Sequence, residues 1–144
     1  MATVGVMGNS GGGNTALFST ALLPRIAFAM PSCYFFTFRD SLMAIYHCMD
    51  NYIPGLIQFA EVSDVTGLFA PKPMVVVAGR EDPIFPFPAT RRAFRELRKV
   101  YSAHGAADRC HLVVGSGGHR IYADGAWPVM LKEIRRLQAS RRRT

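Results

Sequence analysis

Apolar and polar positions along the 144-residue chain follow two periods, one typical of strands and one typical of helices. The clearest strand pattern is MVVVA at residues 74–78, a continuous apolar run of the kind that a parallel strand covered on both faces requires. Shorter apolar runs predict three more strands, at residues 4–7, 26–30 and 111–114. In each case glycine or proline follows, as is usual where a strand ends.

Helical spacing of apolar residues occurs between these strands. It predicts helices at residues 14–22, 38–49, 89–103 and 122–137, and a short helix that reaches Glu61. Strands that alternate with helices are typical of a parallel sheet with right-handed crossovers. We therefore expect one domain over residues 1–144 with an α/β fold in three layers, a mostly parallel sheet with helices on both faces. Residues 138–144 are expected to form a basic tail.

Composition and charge narrow the functional classes. The chain is 49% hydrophobic and 19% charged, as in globular proteins. Residues 1–87 carry four basic and six acidic groups, whereas residues 88–144 carry thirteen basic and four acidic groups. The basic residues of the second part recur at helical spacing, as on solvated helix faces, so nucleic acid is not an expected partner. No apolar run approaches the roughly 20 residues of a membrane span, and no signal-peptide pattern opens the chain, which favours a cytoplasmic protein without a membrane partner.

The three cysteines, Cys33, Cys48 and Cys110, are odd in number and lack C-x-x-C spacing, which favours free buried thiols. A bridge between Cys33 and Cys48 stays open because the two flank one predicted helix. The histidines show neither H-x-x-H nor H-E-x-x-H spacing. The sequence therefore predicts neither a catalytic metal nor another cofactor.

The segment GVMGNSGGG at residues 5–13 has the G-x-S-x-G spacing of a nucleophile elbow, with Ser10 between Gly8 and Gly12. Such an elbow holds a serine on a tight turn between a strand and a helix. A serine in a glycine-rich turn can instead cap the helix or help to bind a phosphate. The motif alone does not decide between these roles.

Two more polar residues follow predicted strands. Asp82 comes shortly after residues 74–78, and His119 follows residues 111–114 through a glycine-rich turn. Because the carboxyl ends of parallel strands meet at one edge of a sheet, Ser10, Asp82 and His119 are expected to lie together. An imidazole accepts the proton of a serine nucleophile, and a carboxylate fixes the imidazole tautomer. The three residues thus predict a Ser-His-Asp triad.

Each of these polar residues also has a structural interpretation when it is considered alone. Asp82 can be a turn or capping residue, its neighbour Glu81 can compete for the acid role, and His119 can belong to a surface loop. His47 can either line a pocket or pack in a helix. Only the combination of residue types, order and strand ends favours catalysis.

Together these segments resemble the carboxyl-terminal half of the α/β-hydrolases. GVMGNSGGG, PMVVVAGREDPIFP and GSGGHRIY are similar to the nucleophile, acid and histidine segments of that superfamily. MPSCYFFTFRDS and HCMDNYIPGL are similar to segments of acetyl-xylan-esterase-like and dienelactone-hydrolase-like bacterial esterases. The resemblance covers residues 3–137. It implies a truncated α/β-hydrolase fold that begins at the nucleophile-elbow strand, and hydrolysis of small carboxylic esters through an acyl-enzyme.

The resemblance also implies roles for individual residues. Ser10 would be the nucleophile, His119 the general base and then acid, and Asp82 the carboxylate that orients the imidazole. The backbone N–H of Gly11 would donate to the oxyanion. Substrate-pocket candidates are Asn9, Tyr34, Phe35 and His47. Phe36 and Phe38 can also wall the pocket, and a core or lid role fits the aromatic residues at 34–38 equally well.

The family fold places about four strands before the elbow, and a loop after the third supplies a second oxyanion donor. A chain without them is expected to have low activity and to expose its elbow strand as a sheet edge. We therefore expect either a homo-oligomer, formed through residues 4–7 or the adjacent apolar face, or a fragment of a longer protein. The alternative function is that of a catalytically weak or inactive remnant that serves as an oligomeric or interaction domain.

Overall fold

The computed structural model describes residues 3 to 141. Four parallel strands form a sheet in sequence order: β1 (Val4–Asn9), β2 (Ile26–Ser32), β3 (Met74–Gly79) and β4 (Cys110–Gly115). The helices are α1 (Gly11–Leu22), α2 (Val62–Gly67), α3 (Phe87–Ala103) and α4 (Ala123–Arg141). The predicted α/β fold with a parallel sheet is confirmed. No helix between residues 3 and 141 is long and apolar enough to cross a membrane.

Helices cover both faces of the sheet and divide the core into two clusters. The larger cluster joins Val76 of β3 to Leu17 of α1 and Leu97 of α3. The smaller cluster joins Val75 of β3 to Met130 of α4. Because alternate residues of a strand point to opposite faces, β3 contributes to both clusters, and all six of its residues are buried. This explains the continuous apolar run of the central strand.

β1 lies at one edge of the sheet, and β2 is its only pairing partner within residues 3 to 141. Val4 and Met7 are 43% and 42% exposed, although both are apolar. A shallow cavity of about 200 Å³ lies next to this strand, lined among others by Val6, Met7, Phe28 and Trp127. The exposed edge that the sequence predicts for the elbow strand is therefore present.

The helix predicted for residues 38–49 is wrong. Two 3₁₀ turns form there instead, at Phe38–Asp40 and Met49–Asn51. The Ser41 hydroxyl donates to the carbonyl of Ile84, so this side chain bonds to a distant loop rather than sitting on a regular helix. Tyr46 is 85% exposed, and the apolar spacing of this segment therefore does not build one buried face.

Element ends also differ from the predicted ones by a few residues. α2 begins after Glu61, where the sequence predicts that a short helix ends, and Glu61 forms a capping box with Asp64. Pro31 lies within β2 rather than after it, paired with Gly8 of β1. The cysteines are free, with Cys33 and Cys110 buried and Cys48 exposed, so the Cys33–Cys48 bridge is not formed.

Candidate active site

Ser10 is the single residue between β1 and α1, and its backbone is strained. Its φ of 57° and ψ of −121° lie in a region that residues with a Cβ rarely adopt, at a cost of about 1 to 3 kcal/mol. Two backbone hydrogen bonds hold this conformation. The Ser10 N–H donates to the Ser32 carbonyl, and the Asn14 N–H donates to the Ser10 carbonyl, both at 2.9 Å. The strain is therefore imposed by the junction of strand and helix.

Close backbone contacts require glycine at Gly8 of the motif and at the neighbouring Gly13, whereas a Cβ on Gly12 would have no other atom within 4 Å. A Cβ built on Gly8 would lie 2.1 Å from the carbonyl oxygen of Gly12, and one on Gly13 would lie 2.6 Å from that of Ser32. The Ser10 side chain makes no capping hydrogen bond to α1, which excludes the helix-cap interpretation. The elbow thus presents a serine hydroxyl that the helix does not use.

Asp82 and His119 form a hydrogen bond of 2.8 Å between Asp82 Oδ2 and His119 Nδ1. The Asp82 side chain is 1% exposed and that of His119 is 21% exposed. The second carboxylate oxygen, Oδ1, accepts from the backbone N–H groups of Ile84 and Phe85 at 2.9 and 3.1 Å. These bonds fix the carboxylate in place. Glu81, the competing acid, is exposed and makes no hydrogen bond to His119 within residues 3 to 141.

The glycine-rich turn after β4 is held against the residues that follow β3. Arg80 N–H donates to the Gly115 carbonyl, and Glu81 N–H donates to the Gly117 carbonyl. A Cβ on Gly79 would lie 2.1 Å from the Gly118 oxygen. The two loops therefore pack backbone against backbone, and this places His119 beside Asp82.

A cleft of about 250 Å³ opens next to the elbow and is lined by Ser10, Gly11, Tyr34, Ile45, Tyr46, His47, Cys48, Asp50, Asn51, Ile84 and Phe85. The ring of Phe85 packs against His119 with centroids 5.6 Å apart, and against His47 at 5.5 Å. Phe85 therefore connects the cleft lined by Ser10 with the Asp82–His119 pair. Phe85 is not among the residues predicted from the sequence to line the site, although it belongs to the segment that also carries Asp82.

Of the four residues predicted to line the substrate pocket, two line the cleft and two do not. Tyr34 and His47 line the cleft, and His47 Nε2 is 3.1 Å from the Ser41 hydroxyl. Phe35 does not line the cleft, because its side chain is buried in the core and packs edge-on against Phe94. Asn9 Oδ1 accepts a hydrogen bond from the Ser32 hydroxyl at 2.7 Å, so Asn9 connects the ends of β1 and β2 rather than lining the cleft.

Cys33 stands beside the Asp82–His119 pair and has a left-handed backbone, with a φ of 46°. Its thiol donates to the Arg120 carbonyl at 3.2 Å. Burial, followed by the negative charge of Asp82, raises the pKa of this thiol. A ligand atom from each of Cys33, Asp82 and His119 lies within 4.8 Å of the others, so the cluster has donors that suit a metal ion. The signal in the sequence is that Cys33 directly follows a strand, as Ser10 does.

Comparisons with known proteins identify the fold. The chain is similar to a glucuronoyl esterase of carbohydrate esterase family 15 from Teredinibacter turnerae, with a TM-score of 0.68, 18% identity and 93% of this chain covered. A glucuronoyl esterase from Solibacter usitatus gives a TM-score of 0.67 at 17% identity over 90% of the chain. The chain has the α/β-hydrolase fold. The resemblance seen in the sequence is thereby confirmed at the level of the fold.

A curated relative was also found by sequence. Over 122 residues, 81% of this chain, the sequence is 30% identical to "Putative hydrolase YtaP" of Bacillus subtilis (strain 168). No family model matches the sequence. The chain spans 40% of the length of the Bacillus protein and 40% and 41% of the two esterases. Its α/β-hydrolase fold is therefore truncated relative to these proteins.

Proposed function

We propose that the chain is a serine hydrolase that cleaves small carboxylic esters through an acyl-enzyme. The observation that carries the proposal is the partly buried Asp82–His119 hydrogen bond next to a cleft lined by Ser10. The strained elbow of Ser10 supports it, because strain of this kind is typical of functional sites. Two of the similar proteins are glucuronoyl esterases and a third bears the name of a hydrolase, which favours ester hydrolysis.

In the proposed mechanism Asp82 accepts a hydrogen bond from Nδ1–H of His119, which leaves Nε2 unprotonated. Nε2 takes the hydroxyl proton of Ser10 while Oγ attacks the carbonyl carbon of the ester. The imidazolium then donates this proton to the leaving alcohol, and an acyl-serine remains. A water molecule, deprotonated by the same nitrogen, attacks the acyl group and releases the acid and the free serine.

Gly11 supplies the oxyanion donor in this proposal. It is the first residue of α1, so no helical carbonyl precedes it to accept its N–H. The N-terminal end of the helix also carries partial positive charge, which favours a developing oxyanion. Loss of one of two oxyanion donors typically costs about 10² to 10³ in rate. Because Gly11 is the single oxyanion donor that we assign, we expect slow turnover by this chain alone.

The size and lining of the cleft indicate the substrate class. Its volume of about 250 Å³ is below the roughly 300 to 1,000 Å³ of typical ligand pockets, so it suits a short acyl or alcohol group. Tyr34, Ile84 and Phe85 give it an apolar wall. We therefore propose a small, uncharged ester rather than a long-chain lipid.

Hydrolysis of a short-chain p-nitrophenyl ester tests this function. Wild-type protein should turn over, Ser10→Ala should not, and Ser116→Ala, an exposed serine at the same edge of the sheet, should behave as wild type. A fluorophosphonate probe should label Ser10 and no residue in the Ser10→Ala variant. Equal rates for wild type and Ser10→Ala, without labelling, would show that the triad is inactive in this chain.

The exposed edge of β1 favours a second candidate, an oligomeric or interaction domain. We propose that two copies associate through β1 and the neighbouring apolar cavity, because Val4 and Met7 are exposed beside unpaired strand edges. Sedimentation at micromolar concentration should then show a dimer or larger species. Met7→Lys should convert it to a monomer, because the charge would be desolvated in the interface. A monodisperse wild-type monomer would contradict this candidate.

A further inference from the structure

The Cys33 thiol, the Asp82 carboxylate and the His119 imidazole form a compact set of metal-binding donors, here named the Cys33 cluster. One donor atom from each lies within 4.8 Å of the others. The three residues follow β2, β3 and β4, so the sheet itself brings them to one edge. The triad mechanism uses Asp82 and His119 and gives Cys33 no role.

We propose that the Cys33 cluster binds Zn²⁺ or a similar thiophilic divalent ion, and that the bound ion inhibits the hydrolase. Thiolate and imidazole donors select Zn²⁺ over Mg²⁺ and Ca²⁺, which take oxygen ligands. Ligand distances of about 2.0 to 2.3 Å in a tetrahedral site place donor atoms about 3.5 Å apart. The donor atoms of the Cys33 cluster, which lie within 4.8 Å of one another, have to approach each other slightly when the ion binds.

Binding of the ion changes the protonation of Cys33 and of His119. The Cys33 thiol releases its proton to solvent, because the thiolate is the ligand, and its hydrogen bond to the Arg120 carbonyl is lost. Asp82 binds as the carboxylate. The ion also takes the Nδ1 position of His119, so the imidazole proton moves to Nε2. The net change is one proton released for each ion bound.

The exposure of the Cys33 cluster and its number of protein donors favour reversible binding of the ion. His119 is the partly exposed member of the cluster, whereas Cys33 and Asp82 are buried. An ion therefore approaches from the His119 side, and water can complete the fourth position there. Three protein donors and one position open to water are typical of catalytic zinc sites, whereas structural sites are closed by four protein ligands.

The effect on catalysis follows from the imidazole tautomer, and this part rests on the proposed function. With the ion at Nδ1, the hydrogen at Nε2 prevents that nitrogen from accepting the Ser10 proton. Asp82 is also removed from its orienting position. Inhibition should therefore be complete at one ion per chain. Binding of the ion does not depend on whether the chain is an active enzyme.

Cadmium titration tests the binding directly, because a cadmium–thiolate bond absorbs in the ultraviolet. Wild type should show this absorption with a stoichiometry of one ion. Cys48→Ser removes the exposed thiol and is the matched control, which should titrate as wild type. Cys33→Ser should lose the absorption. His119→Ala, a change at a partly exposed side chain, should weaken the affinity for cadmium by about 100-fold. Loss of a residue that only hydrogen-bonds to a metal ligand already costs about 10- to 100-fold in metal affinity.

Two results would overturn the metal site: absorption that persists in Cys33→Ser with wild-type affinity, or absorption that disappears in Cys48→Ser. The inhibition is measured separately as the ratio of ester hydrolysis with and without Zn²⁺, which chelation should restore. Hydrolysis that Zn²⁺ inhibits equally in wild type and Cys33→Ser would also contradict the proposal. If cadmium binds through Cys33 but the chain does not hydrolyse esters, the metal site stands and the proposed function fails.

Discussion

Gly8 and Gly12 approach each other so closely that a Cβ on Gly8 would lie 2.1 Å from the Gly12 carbonyl oxygen. This contact packs the end of β1 against the first turn of α1 and fixes the tight angle at Ser10. The obstructing atom belongs to the backbone, so it cannot rotate away as a side chain would. The first glycine of the motif is therefore required by the shape of the elbow.

Gly8→Ala should destabilise the protein by about 3 kcal/mol or more, at the upper end of the usual cost of overpacking, because the backbone must move. Gly11→Ala is the matched control, since no atom lies within 4 Å of a Cβ built there. It should leave stability unchanged or slightly improved, and it keeps the N–H that we assign to the oxyanion. Urea unfolding of both variants measures the difference. Equal stabilities would show that the Gly8 contact is not structurally important.

Ser10→Gly should be more stable than Ser10→Ala by about 1 kcal/mol. Both variants lack the hydroxyl, but only glycine adopts the backbone of Ser10 without strain, which outweighs its greater freedom in the unfolded chain. Thermal and urea unfolding of the two inactive variants provide the measurement. If Ser10→Ala proves the more stable, the elbow carries no strain.

Asp82→Asn should reduce ester hydrolysis by about 10⁴-fold, the loss typical of a triad with the wrong imidazole tautomer. The asparagine oxygen can still accept from the Ile84 and Phe85 N–H groups, so the loop should stay folded. Its NH₂ group would face His119 Nδ1 and force the proton onto Nε2. Glu81→Gln, a change at the exposed neighbour, is the control and should retain the wild-type rate. Loss of activity in Glu81→Gln alone would reassign the acid.

Glu133 is a buried residue of α4 and forms an ion pair with Arg136 one turn further along the helix. Glu133 Oε1 is 3.1 Å from Arg136 Nη1 and from His111 Nε2, whereas Oε2 has no hydrogen-bond partner within residues 3 to 141. Arg136→Met should therefore cost about 2 kcal/mol, because it removes a partner of a buried carboxylate. The double variant Glu133→Met, Arg136→Met should recover most of this loss, since an apolar pair needs no partner.

The control for this pair is Asp108→Asn, which removes the other partner of Arg136 at an exposed position and should change stability little. Urea unfolding of the four proteins completes the comparison. A double variant less stable than Arg136→Met would show that the Glu133 carboxylate itself stabilises the fold.

Stability should fall as the pH rises above about 9. Burial raises the pKa of Cys110 from 9.0 to about 12, and it also raises the pKa of Cys33. The unfolded chain therefore loses thiol protons that the folded chain keeps, which favours unfolding by about 1.4 kcal/mol per pH unit for each such group. Urea unfolding at neutral and alkaline pH measures the slope. Cys110→Ala should reduce it, whereas Cys48→Ser, at an exposed thiol, should not.

The sequence by itself determined the alternation of strands and helices and the glycine-rich elbow. These features depend on local patterns: a continuous apolar run builds β3, and the spacing of Gly8, Ser10 and Gly12 allows one tight turn. The order of the strands along the chain also predicts that Ser10, Asp82 and His119 lie at one edge of the sheet. Asp82 and His119 meet there at 2.8 Å, and Ser10 lines the neighbouring cleft. Parallel strands bring their carboxyl ends to the same edge whatever the details of packing.

The tertiary structure alone decided which aromatic residues line the cleft and where Cys33 lies. Phe35 enters the core and Phe85 lines the cleft, although both are apolar residues in loops after strands. Residues 38–49 lack the helix that their spacing predicts, and within them the Ser41 side chain bonds to a loop more than 40 positions away. Such contacts join residues that are distant in sequence, and a local pattern carries no information about them.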